Sequence, residues 1–250
     1  MFPIADDIPR RHEPVVSISL ILITIGIFLL STMLDPDMAQ RLFHLFGVIP
    51  ARYTHPDWAS ATGMPTGDYW PFLTTLFLHG SFAHIFFNMW FLWLFGRAVE
   101  DQLGPVRFAI FYLLAGILAG IIHVLVNPDS TIPAIGASGA ISGVMAAYLL
   151  LHPRANMIVM IPIFFFPFFF TVPSVIFIGI WFVIEFFSGT ASLFSPPQVA
   201  GIAFWAHIGG FVAGLILTPL AVASLTNRTQ AWNDIGLTNS IWSSKRNWRN

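Results

Sequence analysis

Pro133-Ala-Ile-Gly-Ala-Ser-Gly-Ala-Ile-Ser-Gly143 is where the reading of this chain turns. Ser138 stands between Gly136 and Gly139, with Gly143 one helical turn further on, where a loop runs into a hydrophobic helix. Glycine lets a backbone turn sharply or approach another helix closely. Pro133 and the pair Asn127-Pro128 end the segment before it. A serine at the mouth of an apolar helix needs a reason beyond packing, and the rest of the chain supplies one.

Of 250 residues, 56% are hydrophobic and only 9% charged, against roughly 25% charged in a typical soluble domain. The mean hydropathy is +0.75. These values describe a polytopic membrane protein. With no cysteine, disulfides, thiolate nucleophiles and cysteine-based metal sites are excluded. The net charge of −1 gives no pointer to nucleic acid. Met1 to Arg11 holds two Asp and no cleavage-site pattern, so the first span is expected to stay in place as an anchor.

A bilayer core of roughly 30 Å needs about 20 apolar helical residues. Val15 to Leu34 meets that length without a charge, and Asp35-Pro-Asp37 stops it. Met38 to Tyr69 is mixed, with the amphipathic piece Met38–Phe46 and several aromatics, and reads as a segment lying on the membrane surface. Further spans are expected over Pro71–Gly96, followed by Arg97, Glu100 and Asp101, and over Phe108–Val126. A short fourth span over Ser138–Leu151 would start below the membrane surface. Ala155–Phe187 is too long for one span and is broken by Pro162, Pro167 and Pro173. It reads as a hydrophobic loop or half-buried segment to about Phe170, then a fifth span to Phe187. Ser188–Ala200 is a loop and Gly201–Leu225 the sixth span. The expected organisation is an all-α bundle over residues 15–225, with a cytoplasmic segment 1–14 and a polar cytoplasmic tail 226–250 holding Trp232, Trp242 and Trp248.

With six spans, nine of the eleven Lys and Arg residues fall on the side of the termini; only Arg41 and Arg52 fall opposite. The positive-inside bias then puts both termini in the cytoplasm. Polar groups inside a membrane are expensive and are candidates for function. His79, His84 with Asn88, Ser138 and His207 stand out. Ser138 opens a span entered from the outer side, while His84, Asn88 and His207 lie in the outer halves of theirs, so one depth collects them all. His84 and Asn88 share a helix face and can both donate hydrogen bonds; helix–helix glue is the plain alternative. His207 has Gly210 and Gly214 on or near its own face, and Ser138 has Gly139 and Gly143. Two such small-residue faces suit a Ser–His hydrogen bond between helices. Asp129 and Glu185 are the nearest acids, but no motif ties either to His207, so a Ser–His dyad is the simpler reading. His79, His44, His55, His123 and His152 are expected to be structural or interfacial; His79 and His84, five apart, would diverge on a helix. No HExxH and no membrane Asp pair occur, which disfavours metal-dependent and aspartyl hydrolysis.

From about Phe46 to Gly214 these residues resemble the rhomboid family of intramembrane serine proteases. His79-Gly-Ser-Phe-Ala-His84-x-x-x-Asn88-Met89 is similar to the family's second-span signature, continued by Phe95-Gly96, Glu100 and Leu103-Gly104. Gly136-Ala-Ser138-Gly-Ala-Ile-Ser-Gly143 resembles its nucleophile motif and Ala206-His207-x-x-Gly210-x-x-x-Gly214 its general-base motif. The resemblance implies six helices around a short fourth helix and a wet cavity open to the outside, with no metal or other cofactor. It implies that Ser138 attacks the scissile carbonyl, that His207 shuttles the proton, and that the Ser138 N–H with His84 and Asn88 forms the oxyanion hole. Single-span membrane proteins would be the substrates, admitted past the fifth helix and the Ser188–Ala200 loop. Where some members carry an aromatic residue four positions after the nucleophile, this chain has Ser142, which leaves open what orients His207. A non-catalytic adaptor on the same scaffold and a small transporter are the competing readings.

Overall fold

The computed structural model describes residues 2–163, 166–193 and 203–234. The chain starts with a strand, β1 (Phe2–Asp6), and enters α1 (Val15–Thr32), an apolar helix ended before Asp35. The Asp35 carboxylate caps α2 (Pro36–Phe46) by accepting the Met38 N–H at 2.9 Å. The single turns α3 (Pro50–Thr54), α4 (Pro56–Ala61) and α5 (Pro71–Thr74) each open on a proline, whose fixed φ and missing N–H suit a first helical position. Buried Arg52 knits this surface segment together, donating to the carbonyls of Leu45 and Pro65 and pairing with Asp68 at 3.0 Å.

The second span is displaced from the expected Pro71–Gly96. Ser81 accepts the His84 N–H and starts α6 (Phe82–Phe91), which runs through a π-helical turn at Leu92–Gly96 into α7 (Arg97–Leu103). The charges expected to follow the span therefore lie inside its last turns. Glu100 is tolerated there because it is fully occupied, accepting the backbone N–H groups of Val16 and Ser17 at 2.8 Å and the Ser17 hydroxyl at 2.7 Å. Gly104, at φ +78, makes the turn into α8 (Pro105–Val126). Then come α9 (Ser138–Leu151), α10 (Ser174–Ser192) and α11 (Phe204–Asp234).

Five of these helices are long and apolar enough to cross a membrane: α1, the Phe82–Leu103 helix, α8, α10 and the Phe204–Ala223 part of α11. At 14 residues α9 is shorter, and it is the centre of the bundle, buried from Gly139 to Tyr148. A Cβ at Gly139 or Gly143 would press on Ala119 or Ala115 of α8, and a Cβ at Gly210 or Gly214 would collide with the carbonyls of Gly139 and Gly143. The small residues thus set the separation of α8, α9 and α11.

The described residues between Ala155 and Phe170 are not the loop expected. They form most of a hairpin, β2 (Asn156–Ile163) and β3 (Phe166–Pro173), which joins the N-terminal strand in an antiparallel sheet ordered β1-β2-β3. The prolines that exclude a helix interior are compatible with strands at positions without a paired N–H. Asp7 closes the base of the sheet on Asn156. The Asn156 backbone N–H, followed by its side-chain amide, holds the Asp7 carboxyl below the usual carboxylate range. The helix α11 continues through Asp234, past the expected end of the sixth span at Leu225, while its membrane-length apolar part is Phe204–Ala223. The expected Ser188–Ala200 loop begins later than read, since α10 is helical through Ser192; residues 194–200, Trp242 and Trp248 lie outside the described residues.

Candidate active site

Ser138 is held by the strained approach to α9. Gly136, at φ +125, donates to the Thr75 carbonyl at 3.0 Å, and the Thr75 hydroxyl donates to Ala134 O at 2.6 Å. Val48 and Ala134 form an isolated antiparallel bridge beside them. A Cβ on Gly136 would lie 2.7 Å from His84 Nε2, so only glycine allows this turn so close to that imidazole. As the first residue of α9, Ser138 turns its backbone N–H out of the helical ladder.

His207 sits near the start of α11, one turn before the Gly210 contact with α9. Its Nε2 is 2.8 Å from Ser138 Oγ. Its Nδ1 is 2.8 Å from Glu185 Oε2, on α10. The imidazole has a carboxylate on its far side, and that carboxylate is Glu185, one of the two acids that no motif tied to His207. Both side chains are mostly buried, at 14% exposure each. A carboxylate on Nδ1 favours the tautomer with its proton there, leaving Nε2 free to accept from the serine hydroxyl. Asp129, the other acid weighed from sequence, pairs instead with His55 at 2.7 Å.

A cavity of about 640 Å³ faces this pair, lined by His84, Phe87, Asn88, Ser138, Trp181 and His207 among others. Asn88, buried to 6% exposure, donates to the His84 carbonyl at 3.0 Å. His79 is buried against His84 with ring centroids 4.8 Å apart, and its Nε2 accepts from the Ala137 N–H at 3.5 Å. The expected divergence of His79 and His84 fails because His79 precedes the helix, which starts only after Ser81. Ser142 points back along its own helix and donates to Ser138 O at 2.7 Å. The aromatic neighbour of His207 is Trp181, from α10, with ring centroids 6.3 Å apart. His123 is buried in α8 beside Asn127, His152 ends α9 near Ala98 O, and His44 bonds its own helix at Gln40 O. Among the described residues no group of His, Asp and Glu is arranged to hold a metal ion.

Glu185, Trp181 and Thr75 are therefore the members that sequence reading did not assign. For Glu185 a signal existed: a carboxylate in an otherwise apolar span costs several kcal/mol unless it has a partner, on the order of 2.5–3.5 kcal/mol on insertion scales. The arrangement as a whole offers a hydroxyl with a base and an orienting acid, and donors on the other side of a small space. That is the equipment of nucleophilic acyl transfer.

The family model described as Rhomboid domain matches residues 66–224. The putative rhomboid protease YdcA of Bacillus subtilis is 37% identical over 87 residues, 35% of this chain and 43% of that protein. The rhomboid protease GluP of the same organism is 43% identical over 83 residues, 33% of this chain and 16% of that protein. The inactive RHOMBOID-like protein 8 of Arabidopsis thaliana is 32% identical over 117 residues, 47% of this chain and 30% of that protein. The chain thus spans less than half the length of each of these relatives.

Proposed function

This chain belongs to the rhomboid family, an integral multi-pass membrane protein, and on that premise we propose that it is an intramembrane serine endopeptidase. The observation that carries the reading is the 2.8 Å approach of Ser138 Oγ to His207 Nε2 beside the cavity. In this reading Ser138 Oγ attacks the scissile carbonyl as His207 takes its proton. The carbonyl oxygen becomes an oxyanion facing the Ser138 N–H, His84 and Asn88. Collapse of that intermediate expels the amine, protonated by His207, and leaves an acyl ester on Ser138. Water, deprotonated by His207, then hydrolyses the ester. Glu185 keeps the imidazole in the required tautomer and stabilises its cationic form. Substrates are single-span membrane proteins, cut in or near the span where small or helix-destabilising residues occur. The protein works in the cell (inner) membrane with both termini cytoplasmic.

Ser138→Ala and His207→Ala are each expected to abolish cleavage of a reconstituted single-span substrate while leaving the protein folded. Cleavage by Ser138→Ala at the wild-type rate would refute the assignment. The inactive relative favours a second reading, a non-catalytic adaptor. A fluorophosphonate probe separates the two: it labels wild type and spares Ser138→Ala if the serine is activated, and labels neither if the protein is an adaptor.

A further inference from the structure

The three-stranded sheet plays no part in the chemistry above, and the composition of its β2–β3 hairpin does not suit water. From Asn156 to Pro173 there is no Asp, Glu, Lys, Arg or His. Phe168 and Phe169 are neighbours on β3, so they point to opposite faces, yet they are 54% and 60% exposed. Phe166, the first residue of β3, is 72% exposed. Edge strands of soluble sheets are commonly guarded by charge; this one has none.

The register places the prolines with equal consistency. Pro162 and Pro167 are partners across β2 and β3. Two residues without an N–H cannot make the doubly bonded type of antiparallel pair, so theirs is the type in which both backbones turn away from each other. Alternation then turns Pro167, Phe169, Thr171 and Pro173 to the free edge of β3, where proline deletes two of the four N–H groups. On β2 the same parity turns Pro162 toward the β1 side, just past Met160, the last residue that β1 covers. On β1, Pro3 opposes Val159 and faces the outer edge, and its carbonyl accepts from Trp90 Nε1 at 2.7 Å. All four strand prolines thus stand where an N–H would have no strand partner, and the Pro3 carbonyl is capped. Bare N–H groups are harmless in water and cost several kcal/mol each in hydrocarbon, on the order of 4–8 kcal/mol.

The sheet also lies beside membrane helices. Phe2 stacks on Phe87 of α6 at 6.1 Å, and about 24 Å of helix separates Phe87 from the end of that span at Leu103. Met157 and Val159 are fully buried in the core that includes Phe177 and Ile178 of α10. Val175 and Ile176, at the start of α10 just beyond β3, are exposed as well.

We propose that the β2–β3 hairpin of this sheet is embedded in the bilayer, with the faces carrying Phe168 and Phe169 in contact with lipid acyl chains. The absence of cysteine makes Phe168→Cys and Phe169→Cys single labelling sites on opposite faces, and their exposure means neither change empties the core. The full chain, labelled with an environment-sensitive nitrobenzoxadiazole fluorophore, is reconstituted in phosphatidylcholine–phosphatidylglycerol vesicles. Doxyl groups on the acyl chains are expected to quench both labels and aqueous iodide neither, with the reverse at a Ser60→Cys control on exposed α4. Iodide quenching at either strand position overturns the proposal. Protection from both quenchers also overturns it, because a second copy or another protein then covers the sheet. On the unmodified chain, a diazirine carried in the acyl chain is expected to label residues 166–170; labelling at Val175 and Ile176 without those residues overturns it equally.

Discussion

Glu185 carries the largest consequence of any single side chain here, because it decides which imidazole nitrogen is free. With the carboxylate 2.8 Å from Nδ1, the proton belongs on that nitrogen. An amide in its place can offer its own N–H and favour the opposite tautomer, which has no lone pair for Ser138. Glu185→Gln is therefore expected to lower kcat by on the order of 100-fold or more with KM little changed. Steady-state cleavage kinetics measure this, and an unaltered kcat would remove Glu185 from the chemistry. Gly136→Ala acts by geometry instead. It forces φ +125 on an L-residue and a methyl 2.7 Å from His84 Nε2, so a loss of about 1–3 kcal/mol of stability is expected, with cleavage lost as well. Thermal unfolding alongside the cleavage assay checks both. Ser138 and His207 were legible because each sits among glycines that only a close helix contact explains. The link from Glu185 to His207 was not: they lie 22 positions apart on different helices, and no sequence spacing encodes an angle between two helices. Trp181 was hidden for another reason, as one aromatic in a run rich in them.

Helices in this chain borrow their ends from one another. Among its own residues α1 has no acidic side chain in its first turn and no side-chain cap. Its free N–H groups at Val16 and Ser17 are met by Glu100, from α7. Hydrogen bonds to a charged group are each worth about 1.5–3 kcal/mol, and Glu100 is only 3% exposed. Glu100→Ala is expected to destabilise the protein by about 2–4 kcal/mol, read as a fall in unfolding temperature, while the folded fraction keeps its reactivity at Ser138. A stability equal to wild type would mean that water replaces the carboxylate at that site. The reading of the charges as an end to the second span failed on this same interaction, since a carboxylate that receives three donors no longer marks the edge of the apolar region. The hairpin was missed on different grounds. A run of apolar and aromatic residues with no polar member to mark a face has no usable period, and three prolines spoke only against a helix. What defines β2 is the pairing with Phe2–Asp6, more than 150 positions away for Phe2 and Met160.

The short central helix constrains how the chain threads the membrane. Fourteen residues of α9 span about 21 Å, less than the roughly 30 Å of a bilayer core. Its Ser138 end is reached through the loop pinned to Thr75 and Val48, and its Leu151 end is followed at once by the sheet. Loop and sheet fill the depth that the helix leaves: the loop's Gly136 N–H is met by Thr75 O and its Ala134 O by Thr75, and β2 is paired on both sides. If α9 counts as a crossing, the passes number six with the five long helices, and both termini fall on one side. If the chain instead returns without crossing there, the passes are odd and the termini lie apart. The charge bias favours the first arrangement, with nine of eleven Lys and Arg on the terminal side. A fluorescent protein fused after Asn250 is thus expected to fluoresce in bacterial cells and alkaline phosphatase at the same point to be inactive, with the same outcome for fusions ahead of Met1. Fusions placed in the 127–132 loop should give the opposite result. Opposite signals from the two termini would mean that the Ser138–Leu151 helix does not complete a passage, and the site would then have to be reached from the other side of the bundle.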